Sequence, residues 1–362
     1  MSDENINENI SATGDQPQDN RNEHLSESTQ AITMPGSEWA ANHTENLKVK
    51  PLAEAVERIK DEISKVIVGQ DKTIDLLLSG ILVGGHVLME GLPGIAKTLT
   101  AKLLAQTIQT GFSRIQFTPD LMPTDVSGTS VFNVKESTFY FRRGPIFSNI
   151  ILIDEINRSP AKTQAALMEV MEEKQITYDG VTYPMEFPFF VIATQNPIEQ
   201  EGTYNLPEAQ LDRFLFRIKL AYPSLQEEQS ILQRFASDFD IKRKEEVKSV
   251  ISPNELNTFK NLIEQVYIRP ELLNYIAAVV HNTRNNPDLF MGASPRASLS
   301  ILKASKAIAA MRGRDFVTPD DIKFVAPSVL NHRLILSHER EMEGHTIEET
   351  IDEILKKVEV PR

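Results

Sequence analysis

The chain contains no cysteine. Disulfides, thiolate nucleophiles and cysteine-ligated zinc are therefore excluded. Aromatic residues make up only 7%, with a single tryptophan, Trp39. No apolar run approaches the roughly 18 residues that a membrane-crossing helix needs, so no transmembrane segment is expected. The first residues have neither the basic cluster nor the apolar stretch of a secretory leader. These absences together set the expectation of a cytoplasmic protein. Positive charge is also in short supply: 38 Lys and Arg against 51 Asp and Glu give a net charge of −13 over 362 residues. A chain without a long basic stripe is poorly equipped to grip a phosphate backbone, and no nucleic-acid partner is expected.

The acidity is uneven. Residues 1–46 carry nine acidic residues and one arginine, a net of −8, which leaves −5 for the rest. This segment is rich in Asn, Glu, Ser, Asp and Gln and cannot bury enough apolar surface to offset chain entropy. It is expected to be a disordered acidic tail.

Order is expected from about Leu52, where Leu52, Val56, Ile59, Ile63 and Val66 recur at helical spacing. A second apolar helix follows at about 71–83. Strands and helices then alternate. The strands fall at 86–90, 114–117, 149–154, 189–193 and 216–220. One helix begins after Lys97. Another runs to about 174, with Ser159 as its N-cap and Pro160 in its first turn. The run 149–154 is continuously apolar, as in a strand covered on both faces. Such alternation predicts a mostly parallel sheet sandwiched by helices. Beyond Pro223 helical periodicity takes over, at about 224–238, 253–266, 270–285, 295–311 and 319–330. The last of these opens on Thr318-Pro319-Asp320-Asp321, a cap followed by acids facing the helix dipole. The expected organisation is an α/β domain at 47–222 and a smaller all-helical domain at 223–362.

Five motifs carry chemistry. The first is Gly91-Leu92-Pro93-Gly94-Ile95-Ala96-Lys97-Thr98, which follows a strand and opens a helix. In that setting backbone N–H groups can curl around phosphates at a helix N-terminus. Lys97 would reach the β- and γ-phosphates, and Thr98 would hold Mg²⁺. Ala96 departs from the general pattern, which has glycine before the lysine. The second motif is Asp154-Glu155, 57 residues after Lys97 at the end of the apolar strand. There Asp154 can serve the Mg²⁺ shell, and Glu155 can polarise water for attack on the γ-phosphate. The third is the polar end of the next strand, Thr194-Gln195-Asn196. Asn196 either fixes the attacking water or forms an Asx-type turn before Pro197. The fourth is a short helix over 207–214 that presents Arg213. Its guanidinium suits transition-state charge on a phosphoryl group, or it forms an ordinary surface ion pair. The fifth is Ser294-Pro295-Arg296, where a cation occupies the first helical turn against the dipole. Either a nucleotide phosphate or a nearby carboxylate would offset it.

Taken together these motifs resemble AAA+ ATPases, and among them the MoxR family of the helix-2-insert branch. The resemblance covers about 60–340. It rests on the 91–98 loop in its Ala96 form, Asp154-Glu155-Ile156-Asn157-Arg158, the run 193–204, Pro207 to Phe214, and Gly292 to Ala297. Asn205 stands where the family often has proline. The resemblance implies an AAA+ P-loop core followed by a small helical lid. It implies Walker A at 91–98, Walker B at Asp154 and Glu155, sensor 1 at Asn196, an arginine finger at Arg213 acting across a subunit boundary, and sensor 2 at Arg296. Whether Arg296 serves its own or a neighbour's nucleotide stays open. Val68 and Gln70 would lie at the adenine edge. Two hairpins are expected, from the β-prone runs 129–134 and 138–142 and from 175–183 around Asp179-Gly180. By resemblance both face a pore or a client, with Phe132, Phe139, Tyr140 and Phe141 as contact aromatics, half or more of them packing locally.

The function implied is ATP hydrolysis to ADP and phosphate with Mg²⁺, in a homo-oligomeric, hexameric ring. The work done would be chaperone-like remodelling of a protein client bearing a von Willebrand factor A domain. The alternatives are a nucleic-acid motor, a metallochelatase motor subunit and a scaffold that only binds nucleotide. Glu155 argues against the last, because a pure binder needs no water-orienting carboxylate.

Overall fold

Helices α1 (Lys50–Ser64) and α2 (Asp71–Val83) precede β1 (Val87–Glu90), and α3 (Lys97–Thr107) leads to β2 (Phe112–Gln116). This is a computed structural model, and it describes residues 48–197, 203–236 and 247–361. The acidic segment 1–46, with Trp39, lies outside the described residues. After β2 come a short helix α4 (Pro123–Ser127) and an antiparallel hairpin, β3 (Gly128–Asn133) and β4 (Thr138–Arg143). Then follow β5 (Ile150–Asp154), a 3-10 turn (Ile156–Arg158) and α5 (Ala161–Glu173). A second hairpin, β6 (Gln175–Tyr178) and β7 (Val181–Pro184), leads to β8 (Phe190–Gln195), α6 (Glu208–Leu211) and β9 (Phe216–Lys219).

Five strands form one parallel sheet in the order β2-β5-β8-β1-β9. Side chains alternate across a strand, so an apolar run must be covered on both faces. Both faces are covered. Val87, Met89, Ile150, Leu152, Phe190 and Ile192 join one core, together with residues of α1, α2 and α3. Leu88, Ile151, Ile153, Val191 and Ala193 join the other, against Leu167, Met168 and Met171 of α5. This two-sided burial explains why 149–154 reads as unbroken hydrophobicity.

The second half is α7 (Leu225–Phe235), α8 (Pro253–Glu264), α9 (Pro270–Arg284), α10 (Pro295–Met311), α11 (Pro319–Leu330), α12 (His338–Met342) and α13 (Ile347–Lys357). It also holds a short antiparallel pair, β10 (Leu289–Met291) and β11 (Ile335–Leu336), which helical periodicity does not reveal. Helix α10 packs on α2, and α11 packs on β9. The core shared with α1 to α3 therefore continues through Ile301, Ile308, Val325 and Ile351. The Thr318 cap forms as expected, with Asp321 reaching back to the Thr318 N–H at 2.9 Å. Asp321 is buried because Arg312 and Arg314 also bond its carboxylate.

One expected cap is displaced by a residue. Pro160, not Ser159, is the N-cap of α5, with extended backbone at ψ 151°. Ser159 closes the preceding 3-10 turn, and its Oγ is buried without a hydrogen-bond partner. The two hairpins form where β-prone runs flank turn residues, and they meet through an aromatic stack. Phe141 lies 4.9 Å from Tyr178 and 4.7 Å from Tyr183, ring centre to ring centre. Phe139 and Tyr140 remain exposed, and Phe132 packs against Phe139, with 5.0 Å between ring centres.

Candidate active site

The carboxyl edge of the sheet brings the first three motifs together. The 91–98 loop leaves β1, with the Gly91 N–H donating to Gln195 O at the end of β8. Gly94 has a φ of +86° in open space, a conformation that favours glycine. A Cβ on Gly91 would approach Ile95 Cδ1 to 2.4 Å and Leu220 O to 3.1 Å, so a larger residue there would make the Ile95 side chain shift and crowd the Leu220 backbone. Ala96, the helix N-cap, has a φ of +62°. That explains why the general pattern has glycine at this place; alanine tolerates the left-handed region at a cost of about 1–2 kcal/mol. The N–H groups of Gly94, Ile95, Ala96 and Thr98 have no acceptor among the described residues, and the Thr98 hydroxyl has no partner there. Lys97 Nζ donates to Gly91 O at 2.6 Å. Unclaimed amides at a helix start, one lysine and one hydroxyl suit a polyphosphate chemically.

Asp154 ends β5 at the same carboxyl edge, with β8 between it and β1. It accepts from Arg114 Nε at 2.5 Å and from Thr194 Oγ1 at 3.2 Å. Thr194 Oγ1 in turn accepts from the Glu155 N–H at 3.0 Å, so one hydroxyl ties both acids to β8. Glu155 sits at φ +57°, a strained setting for a non-glycine residue and one met at functional sites. Its carboxylate is held by Gln116 Nε2 at 2.8 Å and Arg158 Nε at 3.1 Å. Asn196 is buried immediately past β8. No cluster of three or more potential ligand side chains exists among the described residues. A metal here would be shared between Thr98, Asp154 and oxygens of the bound nucleotide, as is usual for Mg²⁺. Val68 and Gln70 line a cleft with Leu220, Tyr222 and Pro223, and Gln70 Nε2 reaches Ile95 O of the loop at 3.2 Å.

Arg213 and Arg296 are not at this edge. They line a cavity of about 250 Å³ with Gly84, Gly85 and His86, the residues that precede β1. Leu215 N donates to His86 O at 2.7 Å, which places the segment carrying Arg213 at the amino edge of the sheet. From His86 to Gly91 the chain advances about 16 Å at the rise of a strand. That exceeds the reach of an arginine side chain. Both guanidinium groups converge on Glu172 at the end of α5: Arg213 Nη2 lies 3.0 Å from Oε2 and Arg296 Nη2 lies 2.7 Å from Oε1. A carboxylate thus offsets the cation in the first turn of α10. His86 is fully buried here, and burial lowers its pKa to about 4. Its Nδ1 accepts from Val191 N–H, so the neutral ring donates from Nε2 to Met171 O.

The likeness to known proteins follows the same two regions. A family model described as ATPase family associated with various cellular activities (AAA) matches residues 86–216, and an AAA lid domain model matches 281–354. The chain is 44% identical to YeaC, an uncharacterised protein of Bacillus subtilis, over 83% of this chain and 93% of that one. It is 43% identical to the chaperone MoxR1 of Mycobacterium tuberculosis, over 85% of this chain and 82% of the relative. This chain belongs to the MoxR family of AAA+ ATPases. The crystal structure of a candidate ATPase from Cytophaga hutchinsonii, 44% identical, matches it with a TM-score of 0.80 over 87% of this chain and 97% of that one. The fold is accordingly an AAA+ α/β core followed by a helical lid.

In this MoxR-family chain, several residues in contact with the motifs escaped sequence reasoning: Arg114, Gln116, Glu172, Asp212 and Arg333. Gln116 had a weak signal, since a polar residue ends a strand next to the one ending in Asp154. Glu172 had none, because it is one of several acids on a helix. No described helix is long and apolar enough to cross a membrane.

Proposed function

We propose that the chain hydrolyses ATP to ADP and phosphate with Mg²⁺, as a ring of copies in which each site is completed by its neighbour. The observation that carries this reading is the division of the motifs between opposite edges of one sheet. The 91–98 loop, Asp154 and Glu155 lie at the carboxyl edge, and Arg213 and Arg296 at the amino edge. A head-to-tail contact joins unlike faces and closes into a ring when its rotation permits. Such a contact would bring the two arginines of one copy to the phosphate loop of the next, so Arg296 joins Arg213 in acting in trans. We take the ring as hexameric, with 47–222 and 223–362 as its two working bodies.

The loop amides, with Lys97, bind the phosphate oxygens. Magnesium, held by Thr98 and Asp154, would neutralise charge on the β- and γ-phosphates. Glu155, fixed by Gln116 and Arg158, orients the attacking water and draws on its proton. Asn196 steadies the same water from the next strand. Val68 and Gln70 border the base. The neighbour's Arg213 and Arg296 meet the charge that develops on the transferring phosphoryl group. Closure of this interface around ATP would supply mechanical work, since ATP favours the closed form.

MoxR1 is named as a chaperone, and we extend that role to this chain, acting in the cytoplasm on a protein with a von Willebrand factor A domain. The exposed Phe139 and Tyr140 of the first hairpin are candidate client contacts. The test is a trap: tagged Glu155→Gln protein recovered from its native cells with ATP and Mg²⁺. Retention of an A-domain protein, absent from a Lys97→Ala control, supports the reading. Retention of nucleic acid instead would redirect it to a nucleic-acid motor.

A further inference from the structure

Arg333 follows α11 and is 4% exposed. Taking a guanidinium out of water is costly, and a buried ion pair often stabilises no more than apolar residues of similar volume in place of both partners. The hydrogen bonds of Arg333 show what the burial secures. Nε donates to Asp212 Oδ1 at 2.7 Å, and Nη2 to Asp212 O at 3.0 Å and Phe214 O at 2.6 Å. Nη1 donates to Leu215 O at 3.4 Å and to Val329 O. Four of these five bonds fall on residues 212–215, the segment that carries Arg213. The neighbouring His332 Nε2 contacts Phe214 O at 3.1 Å, and Asn331 Nδ2 donates to Arg217 O at 3.1 Å.

Asp212 extends the connection. Its second oxygen, Oδ2, accepts from Ser294 Oγ at 3.0 Å. Ser294 is the N-cap of α10, and its Oγ accepts from the Arg296 N–H. One carboxylate therefore joins Arg333 to the backbone of both pocket arginines: Arg213 follows it in sequence, and Arg296 follows the serine it holds.

The geometry points to Arg333 as a positioning residue that, through Asp212, locks Arg213 and Arg296 into one rigid anion clamp for the neighbour's phosphates. It rests on the composite-site reading above. Its own guanidinium is committed to carbonyl and carboxylate oxygens, so it acts through the other two arginines. Lysine cannot replace it, because a single ammonium lacks the planar fork that spans 212–215.

The test measures steady-state turnover and nucleotide binding in the assembled protein. Arg333→Met retains volume, and Asp212, partly exposed in the pair, can then be hydrated. The variant is expected to bind a fluorescent ATP analogue within about two-fold of wild type and to lose about ten- to a hundred-fold in kcat, the scale of a misplaced catalytic group. Arg333→Lys should lie between the two. Mixing Arg333→Met with Lys97→Ala should restore turnover, because the second variant presents an intact clamp to the first variant's intact loop. A variant that was merely misfolded would lose nucleotide binding and would not be rescued. Ser294→Gly gives a second arm: glycine is nearly as good an N-cap, so only the bridge to Asp212 is lost. It should lower kcat several-fold at unchanged KM. Unchanged kcat in both Arg333→Met and Ser294→Gly overturns the proposal, as does loss without rescue by Lys97→Ala. Absence of turnover in the wild-type chain would instead overturn the ATPase reading on which it stands.

Discussion

Mixing two inactive variants tests the division of the site between copies. Arg213→Ala leaves the phosphate loop intact and removes the finger. Lys97→Ala does the reverse. If Arg213 acts in trans, Arg213→Ala alone should fall by about 10³–10⁵-fold, the range for loss of such an arginine, and Lys97→Ala, which loses its hold on the β- and γ-phosphates, should be at least as inactive. In mixed rings a working interface needs an Arg213→Ala subunit on the loop side and a Lys97→Ala subunit on the finger side. At equal mixing with independent sites, about one interface in four meets that condition in a head-to-tail ring. Turnover should therefore recover to roughly a quarter of wild type, at least two hundred times either variant alone. As the mixing fraction varies, the rate should trace a curve with its maximum at equal parts. Coupling between sites would lower the height and keep the maximum. The assay is phosphate release, with co-assembly followed by energy transfer between labelled subunits. Arg296→Ala should behave in the same way, because Arg296 shares Glu172 with Arg213. Co-assembled rings that stay at the level of the separate variants would refute the reasoning, and Arg213 would then act in cis or in folding alone.

Neutralising the shared carboxylate, Glu172→Gln, should lower the half-saturating ATP concentration by up to about five-fold for each arginine released, since each partly exposed ion pair holds its arginine back by about 0–1 kcal/mol. An unchanged or higher ATP requirement would show that Glu172 does not compete with nucleotide. The buried His86 should make stability fall with acid. Its folded pKa of about 4 lies below the ordinary value of 6.5, so the unfolded chain binds the proton first. The stabilisation, on the order of 3 kcal/mol, is whole above pH 6.5 and is lost as pH falls towards 4. His332 is lowered by burial as well and adds in the same direction. Urea unfolding between pH 7 and 4.5 should show this slope, reduced by about one proton in His86→Gln; equal slopes would dismiss His86 as the source.

Local features of this protein were legible in the sequence where one segment supplies both the structure and its chemistry. The 91–98 loop is contiguous, and its glycines, helix start and lysine all answer to one backbone path. The three central strands were visible because each must be apolar on both faces, and the ends of all five lie within two residues of expectation. Asp154 and Glu155 were legible as a strand end because a charged pair closing an apolar run stands out. Caps were less secure, since Ser159 and Pro160 differ only in which of them leaves the preceding turn.

The sequence by itself determined the family, the nucleotide-binding chemistry and the division into a parallel-sheet core and a helical lid. It could not place Arg213 and Arg296, whose lone positions are equally suited to a phosphate or a carboxylate. Tertiary structure decided that both lie at the amino edge of the sheet on Glu172, residues 41 and 124 positions away in the chain. It likewise decided that Phe141 packs between the two hairpins while Phe139 and Tyr140 face solvent. Arg333 became visible only there. The physical reason is that an ion pair or hydrogen bond formed across the fold leaves no periodic mark along the chain, whereas a strand face, a helix cap and a phosphate loop do.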